Sequence, residues 1–81
     1  MKKSIIPLNL LALGKWGRVK KIELKANIRR RLFDLGLITD TKIEVLGKSP
    51  LGDPIAYGIR GTVIALRSEE SSGILVEILG D

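Results

Sequence analysis

The centre of the chain reads Asn27-Ile-Arg-Arg-Arg-Leu-Phe-Asp-Leu-Gly36, and the architecture depends on this segment because it combines a helical period with a signal at each end. Side chains of an α-helix advance by about 100° per residue, so Ile28, Leu32 and Leu35 fall on one face. The pattern therefore predicts a short amphipathic helix over residues 27–36 that buries an aliphatic stripe.

Both ends of this helix are marked. Asn27 is expected to cap the first turn by accepting a hydrogen bond from a free backbone N–H. Gly36 is expected to end the helix in the left-handed conformation, which would bring Leu37 against Leu32 in a Schellman motif. The segment is thus predicted to be a helix with its own stop signal.

The rest of the chain is typical of strands and turns. Alternating apolar residues predict five short strands, which lie at 17–24, 41–47, 55–60, 62–66 and 74–79. The alternation slips at Lys20-Lys21, which predicts a bulge. Pro7 favours a short helical segment before Gly14, and Ser68 is expected to cap a helical turn in the last connection. We expect one mainly β domain over residues 1–81, closed into a small SH3-like β-barrel.

Composition limits the chemistry that the chain can perform. Its 81 residues include no cysteine and no histidine, which excludes disulfides, zinc-finger sites and catalytic triads built on histidine. One Trp, one Tyr and one Phe leave the core to aliphatic residues. The net charge of +5 is consistent with an anionic partner, and equally with a basic domain that has none.

The amino-terminal stretch resembles a signal peptide only at its charged start. Pro7 and Asn9 interrupt the apolar run that follows, and no small-residue cleavage site comes after it. No run approaches the ~20 apolar residues of a membrane-spanning helix. The expected location is therefore the cytoplasm.

Four groups of residues together resemble one known family. They are Leu8-x-x-Leu11-x-x-Gly14-x-x-Gly17-x-Val19, then Arg30-Arg-Leu-x-Asp-Leu-Gly-Leu37, then Pro50-x-Gly-Asp-Pro54, then Arg60-Gly61 to Ala65-Leu-Arg67. In this order and at this spacing the chain resembles the FeoA family. The resemblance implies an SH3-like β-barrel that serves as a cytosolic accessory of the FeoB ferrous iron transporter, whose cytosolic part is a GTPase. At Ile38-Thr-Asp-Thr41 the family often has a small residue and glycine, and Asp40 is a residue that tolerates a left-handed turn.

The basic run Arg29-Arg30-Arg31 is the first candidate for partner binding. Cations near the start of a helix oppose the helix dipole, which indicates a surface kept for contact with an acidic partner. We assign Arg29 and Arg30 to such a contact, although both could simply be solvated. Arg31 lies at the edge of the apolar stripe and is expected to lay its stem over the core.

Two further candidates lie outside the helix. Leu51 and Asp53 belong to the turn-forming segment Pro50–Pro54, which is either a docking loop or a plain turn in which Asp53 accepts nearby backbone N–H groups. Trp16 is either a partner anchor or a plug at one end of the barrel.

The sequence favours contact with a macromolecule over chemistry. The carboxylates that could serve as metal ligands or as acid–base groups are scattered along the chain, and no Walker-type glycine loop is present. We therefore expect no enzyme activity, no cofactor, no small-molecule substrate and no metal site. The alternative is an RNA- or ribosome-associated module, because Gly14-x-x-Gly17-x-Val19 also resembles a KOW-type loop. The small number of aromatic residues argues against RNA.

Overall fold

A computed structural model describes residues 4–80, which form a single antiparallel sheet with two short α-helices and one 3₁₀ turn. In chain order the elements are β1 (Ile5–Pro7), the 3₁₀ turn (Leu8–Leu10), β2 (Trp16–Ile22), α1 (Ala26–Asp34), β3 (Lys42–Lys48), β4 (Ile55–Ile59), β5 (Thr62–Leu66), α2 (Ser68–Ser71) and β6 (Ile74–Leu79). The five predicted strands are β2 to β6, and the predicted mainly β class is confirmed.

The sheet has six strands in the order β1-β6-β2-β3-β4-β5, so the expected count of five was wrong. The missed strand β1 has only three residues, too few to show a period, and pairs with β6 from Ile5 opposite Glu77 to Pro7 opposite Leu75. The predicted closure of the sheet into a barrel was also wrong, because β1 and β5 are the two edges of the sheet and do not pair. A three-residue edge strand that ends in proline offers few N–H donors for a further ladder.

Pairing within the sheet follows the predicted alternation. The register of β2 against β6 shifts between Val19 and Lys21, which confirms the predicted bulge. The core is one cluster of buried apolar side chains, namely Leu8, Leu11, Val19, Leu32, Leu37, Ile43, Val45, Ile55, Tyr57, Ile59, Ile64, Leu66, Ile74 and Val76. It is aliphatic apart from Tyr57, as the composition requires.

The start of α1 differs from the prediction. The helix begins at Ala26, and Lys25 is its N-cap without any capping side chain. The Lys25 carbonyl already accepts the Arg29 N–H at 2.9 Å, so Asn27 lies inside the first turn, where it cannot act as N-cap. The assignment of Asn27 as the cap was therefore wrong.

The end of α1 is as predicted. Gly36 has a φ of +97°, its N–H donates to the Phe33 carbonyl, and the Leu37 N–H donates to the Leu32 carbonyl, both at 2.9 Å. These two hydrogen bonds define a Schellman motif. Leu32 and Leu37 are buried, but Leu35 is 45% exposed because the helix stops at Asp34 before its stripe is complete.

Two connections contain residues that the sequence singled out, one between α1 and β3 and one between β5 and α2. Asp40 has a φ of +73°, a left-handed conformation that aspartate tolerates, and its N–H donates to the Val19 carbonyl at 2.7 Å. In the last connection Arg67, and not Ser68, is the N-cap of α2. The Ser68 N–H is instead used by Asp53, whose Oδ1 accepts it at 2.7 Å from another loop.

Candidate partner-binding surfaces

A shallow groove of about 760 Å³ runs along α1 and holds two of the candidate residues. We call it the α1 groove, and its lining consists of Ile22, Ala26, Arg29, Arg30, Phe33, Asp34, Leu37, Ile38 and Thr39. One wall is the exposed face of the helix, and the other is the segment that follows the Schellman motif. The helix stop thus sets the position of both walls.

The helical wall presents cations and an aromatic ring together. Arg29 and Arg30 precede Phe33 by four and three residues, so the three side chains share one face. Phe33 is 64% exposed, and within residues 4–80 neither arginine forms an ion pair. Sequence reasoning missed Phe33 because it lies off the aliphatic stripe. An aromatic residue on the polar face of a helix was the signal that could have revealed it.

Arg31 lies apart from the α1 groove. Its guanidinium forms an ion pair with the carboxylate of Glu70 in α2. A second side-chain oxygen of Glu70 accepts the Arg67 N–H at 3.1 Å. Arg31 therefore links the two helices, whereas Arg29 and Arg30 line the α1 groove.

The two candidate residues of the 50–54 segment have different surroundings. Asp53 holds the first N–H of α2, and its Oδ2 lies 3.9 Å from the Arg67 guanidinium, as expected for a turn residue that satisfies backbone donors. Leu51 is 94% exposed at the tip of the loop. Of the two, Leu51 is the residue that a partner can reach without disturbing the fold.

Trp16 lies on the surface of β2, between Glu44 on β3 and Leu79 on β6. It is 43% exposed and lines a second shallow groove with Lys15, Lys42 and Leu79. The interpretation of Trp16 as a plug in a closed barrel was therefore wrong, since the sheet is open and Trp16 is on its surface. The predicted role of Trp16 as an anchor for a partner stays a prediction.

The candidate residues do not form one site. Arg29 and Arg30 line the α1 groove, Trp16 lines a different groove, and Leu51 and Asp53 belong to a loop. In the described part of the chain no three acidic side chains lie close enough to hold a metal ion. None of the helices within residues 4–80 has the length and apolar character needed to cross a membrane.

One titratable group in the core has a shifted pKa. Burial raises the pKa of Tyr57, the Ser71 side chain beside it opposes the rise, and the Asp53 carboxylate adds to it. The Tyr57 side chain is fully buried, in the middle of β4. This hydroxyl belongs to the core rather than to any groove.

Comparison with known proteins identifies the family. Residues 6–78 match the model of the FeoA domain. A protein of Porphyromonas gingivalis, the Fe(2+) transport protein A/Fe(2+) transporter FeoB fusion protein, is 29% identical over 72 residues. That match covers 89% of this chain but 8% of the fusion protein, so the chain spans a small part of that relative.

Solved structures agree with this match. The solution structure of FeoA from Chlorobium tepidum superposes with a TM-score of 0.89 at 39% identity, over 93% of this chain and 71% of that one. FeoA from Stenotrophomonas maltophilia, crystallised with zinc and described as a procaryotic SH3 domain protein, superposes with a TM-score of 0.72 at 29% identity, over 94% and 89%. The fold is therefore SH3-like, and this chain belongs to the FeoA family.

Proposed function

We propose that this protein is a non-enzymatic accessory of ferrous iron uptake that acts by direct contact with a FeoB-type transporter. The observation that carries the proposal is the Porphyromonas gingivalis relative, in which a homologous segment and FeoB are parts of one polypeptide. Fusion raises the effective concentration of one domain at the other, which is useful when the two must meet. We place the protein in the cytoplasm, attached to the inner membrane only through the transporter.

The surfaces of the domain suit this role better than they suit catalysis. The grooves are shallow, and the residues that line them include exposed cations and apolar side chains. A binding protein that prefers one conformation of a switching partner shifts the population of that partner by the ratio of its two affinities. A basic domain also speeds its encounter with an acidic surface. Regulation by contact needs no further chemistry.

The test is a titration of the full chain against the detergent-solubilised, full-length transporter of the same organism. The transporter is held in turn without nucleotide, with GDP and with a non-hydrolysable GTP analogue. We expect saturable binding whose affinity differs between the nucleotide states. Absence of binding in all three states would refute the proposal.

One observation favours the alternative of an RNA- or ribosome-associated module. Trp16 is partly exposed between Lys15 and Lys42, an arrangement that could stack a base beside two cations. The glycine pattern of the KOW-type loop, however, has a packing explanation here, because a Cβ on Gly17 would lie 3.0 Å from Val76. Affinity for RNA that falls linearly with salt on logarithmic axes would support the alternative.

A further inference from the structure

We propose that the α1 groove binds an acidic segment of the partner protein that carries an apolar side chain, with its carboxylates on Arg29 and Arg30 and its apolar side chain beside Phe33. This inference rests on the proposed function and names the surface through which the contact is made. Three features of the groove carry it: an apolar floor, cations on one wall that have no ion pair within residues 4–80, and an uneven distribution of charge along its length.

The floor of the groove is apolar and open. Ile22, Leu37 and Ile38 line it, and Leu37 is fully buried in the core beneath. Phe33 extends this apolar surface to the outside with 64% of its area exposed. An aliphatic or aromatic side chain placed here would remove apolar area of both partners from water, which favours association.

Four cations in residues 4–80 form ion pairs, and the two arginines of the groove are not among them. Lys20, Lys21, Arg31 and Arg67 each lie within ion-pair distance of an acidic side chain. Arg29 and Arg30 have no such partner within residues 4–80, and the first turn of α1 contains no acidic residue.

The exposed Lys25 lies just before the same turn, so positive charge accumulates at the helix end whose dipole is already positive. A carboxylate from a partner would relieve this repulsion. Charge complementarity therefore selects an acidic occupant.

The two ends of the α1 groove also differ in charge. Asp34 lines it one helical turn beyond Arg30, near the carboxyl end of α1. An occupant with carboxylates at both ends would be repelled there, whereas one with its acidic end toward Arg29 and its apolar or basic end toward Asp34 fits. Nucleic acid carries phosphate charge along its whole length, so the groove favours a peptide over RNA.

Two ligands test the proposal with the full-length chain. The first is a synthetic peptide with Glu residues at one end and Leu residues at the other, followed by amide chemical-shift changes in the ¹⁵N-labelled protein, with a peptide that has Lys in place of Glu and a short RNA as comparisons. The second is the detergent-solubilised transporter. We expect the Glu peptide to shift the amides of Arg29, Arg30 and Phe33, and the Lys peptide to leave them unchanged. Shifts confined to other surfaces, or tighter binding of the RNA in this groove, would overturn the proposal.

Matched variants separate this inference from the proposed function. Arg29→Glu/Arg30→Glu should lower the affinity for the Glu peptide and for the transporter about tenfold or more. Lys48→Glu/Arg60→Glu makes the same change in net charge at exposed residues outside both the α1 groove and the groove beside Trp16, and it should leave both affinities within about twofold. Phe33→Ser should weaken binding without changing its salt dependence.

If the transporter binds the wild type and the arginine variant equally, the groove is refuted while the proposed function stands. If the transporter does not bind the wild type, the function is refuted, and the peptide alone decides for or against the groove. Trp16 fluorescence and the thermal midpoint of each variant show that it is folded.

Discussion

Gly36 determines where α1 ends and where the next segment begins. Its φ of +97° lies in the left-handed region, and this geometry lets Leu37 turn back to hydrogen-bond with Leu32 and enter the core. A Cβ at this position would meet only Arg60 Cδ, at 3.6 Å, which is an ordinary contact. The requirement for glycine is therefore one of backbone conformation and not of space.

We predict that Gly36→Ala lowers the free energy of unfolding by about 1 kcal/mol, because an L-residue is strained in the left-handed region. Urea denaturation followed by Trp16 fluorescence measures the change. Gly47→Ala is the control, since a Cβ at Gly47 would have no atom within 4 Å and the residue has no positive φ. It should change stability by less than about 0.5 kcal/mol. Equal losses in both variants would contradict this account.

Asn27 provides a second test at the scale of one residue. Because it lies in the first turn of α1 and caps nothing, Asn27→Ala should be nearly neutral, whereas loss of a true cap costs about 1 kcal/mol. Asn27→Asp should instead stabilise the protein by about 0.3–1 kcal/mol, since a carboxylate near the start of a helix interacts favourably with its dipole. Thermal unfolding at low and high salt measures both. If Asn27→Ala lowered the free energy of unfolding by about 1 kcal/mol, the Asn27 side chain would be shown to cap the helix.

At the scale of elements, α2 is the element that depends most on tertiary contacts. A helix of four residues cannot form by itself, because nucleation costs more than one turn of hydrogen bonds returns. Asp53 of the 50–54 segment accepts the Ser68 N–H from outside the helix. Glu70, within the helix, accepts the N–H of the N-cap Arg67 and is also paired with Arg31 of α1. The helix therefore exists because the loop and α1 surround it.

We predict that Asp53→Ala destabilises the protein by about 1 kcal/mol, because the Ser68 N–H loses its acceptor. Asp53→Asn keeps an acceptor oxygen at the same place and should cost less than half as much. Hydrogen exchange at the Ser68 amide, together with urea denaturation, distinguishes the two variants. If both variants remain as stable as the wild type but no longer bind the transporter, Asp53 is a docking residue and does not stabilise the start of α2.

Across the whole molecule, stability depends on one aliphatic core that surrounds a single tyrosine. Tyr57 is fully buried, and burial raises its pKa above the ordinary value of 10.0 for a tyrosine. The folded protein therefore holds the phenol proton more tightly than the unfolded chain does. The contribution of this group to stability is complete below a pH of about 10 and is lost as the pH rises through the raised pKa of the folded state.

We predict that the free energy of unfolding falls above a pH of about 10 and that Tyr57→Phe removes the part of this fall that comes from the phenol. Urea denaturation across the alkaline range gives the free energy, and the ultraviolet absorbance of tyrosinate follows the only tyrosine directly. Because Tyr57→Phe changes only the phenol, it is also the control for every other contribution to the alkaline decline. An alkaline decline that is identical in both proteins would contradict the prediction.

The sequence alone determined the features that neighbouring residues encode. The Schellman motif at Gly36 and the bulge after Val19 each depend on residues a few positions apart, whose chemistry fixes the local backbone. The same holds for the aliphatic core, because alternation along a strand directs every second side chain to one face. The order and spacing of the motifs also indicate the family.

The tertiary structure alone decided what distant segments do to one another. Asp53 reaches Ser68 across 15 positions and Arg31 reaches Glu70 across 39, and no local pattern encodes such pairs. Nor could periodicity reveal the short β1, the open edges of the sheet, or the groove that places Phe33 beside Arg29 and Arg30. The reason is physical: local geometry follows from adjacent dihedral angles, whereas grooves and ion pairs between elements arise only when the packed core fixes where those elements meet.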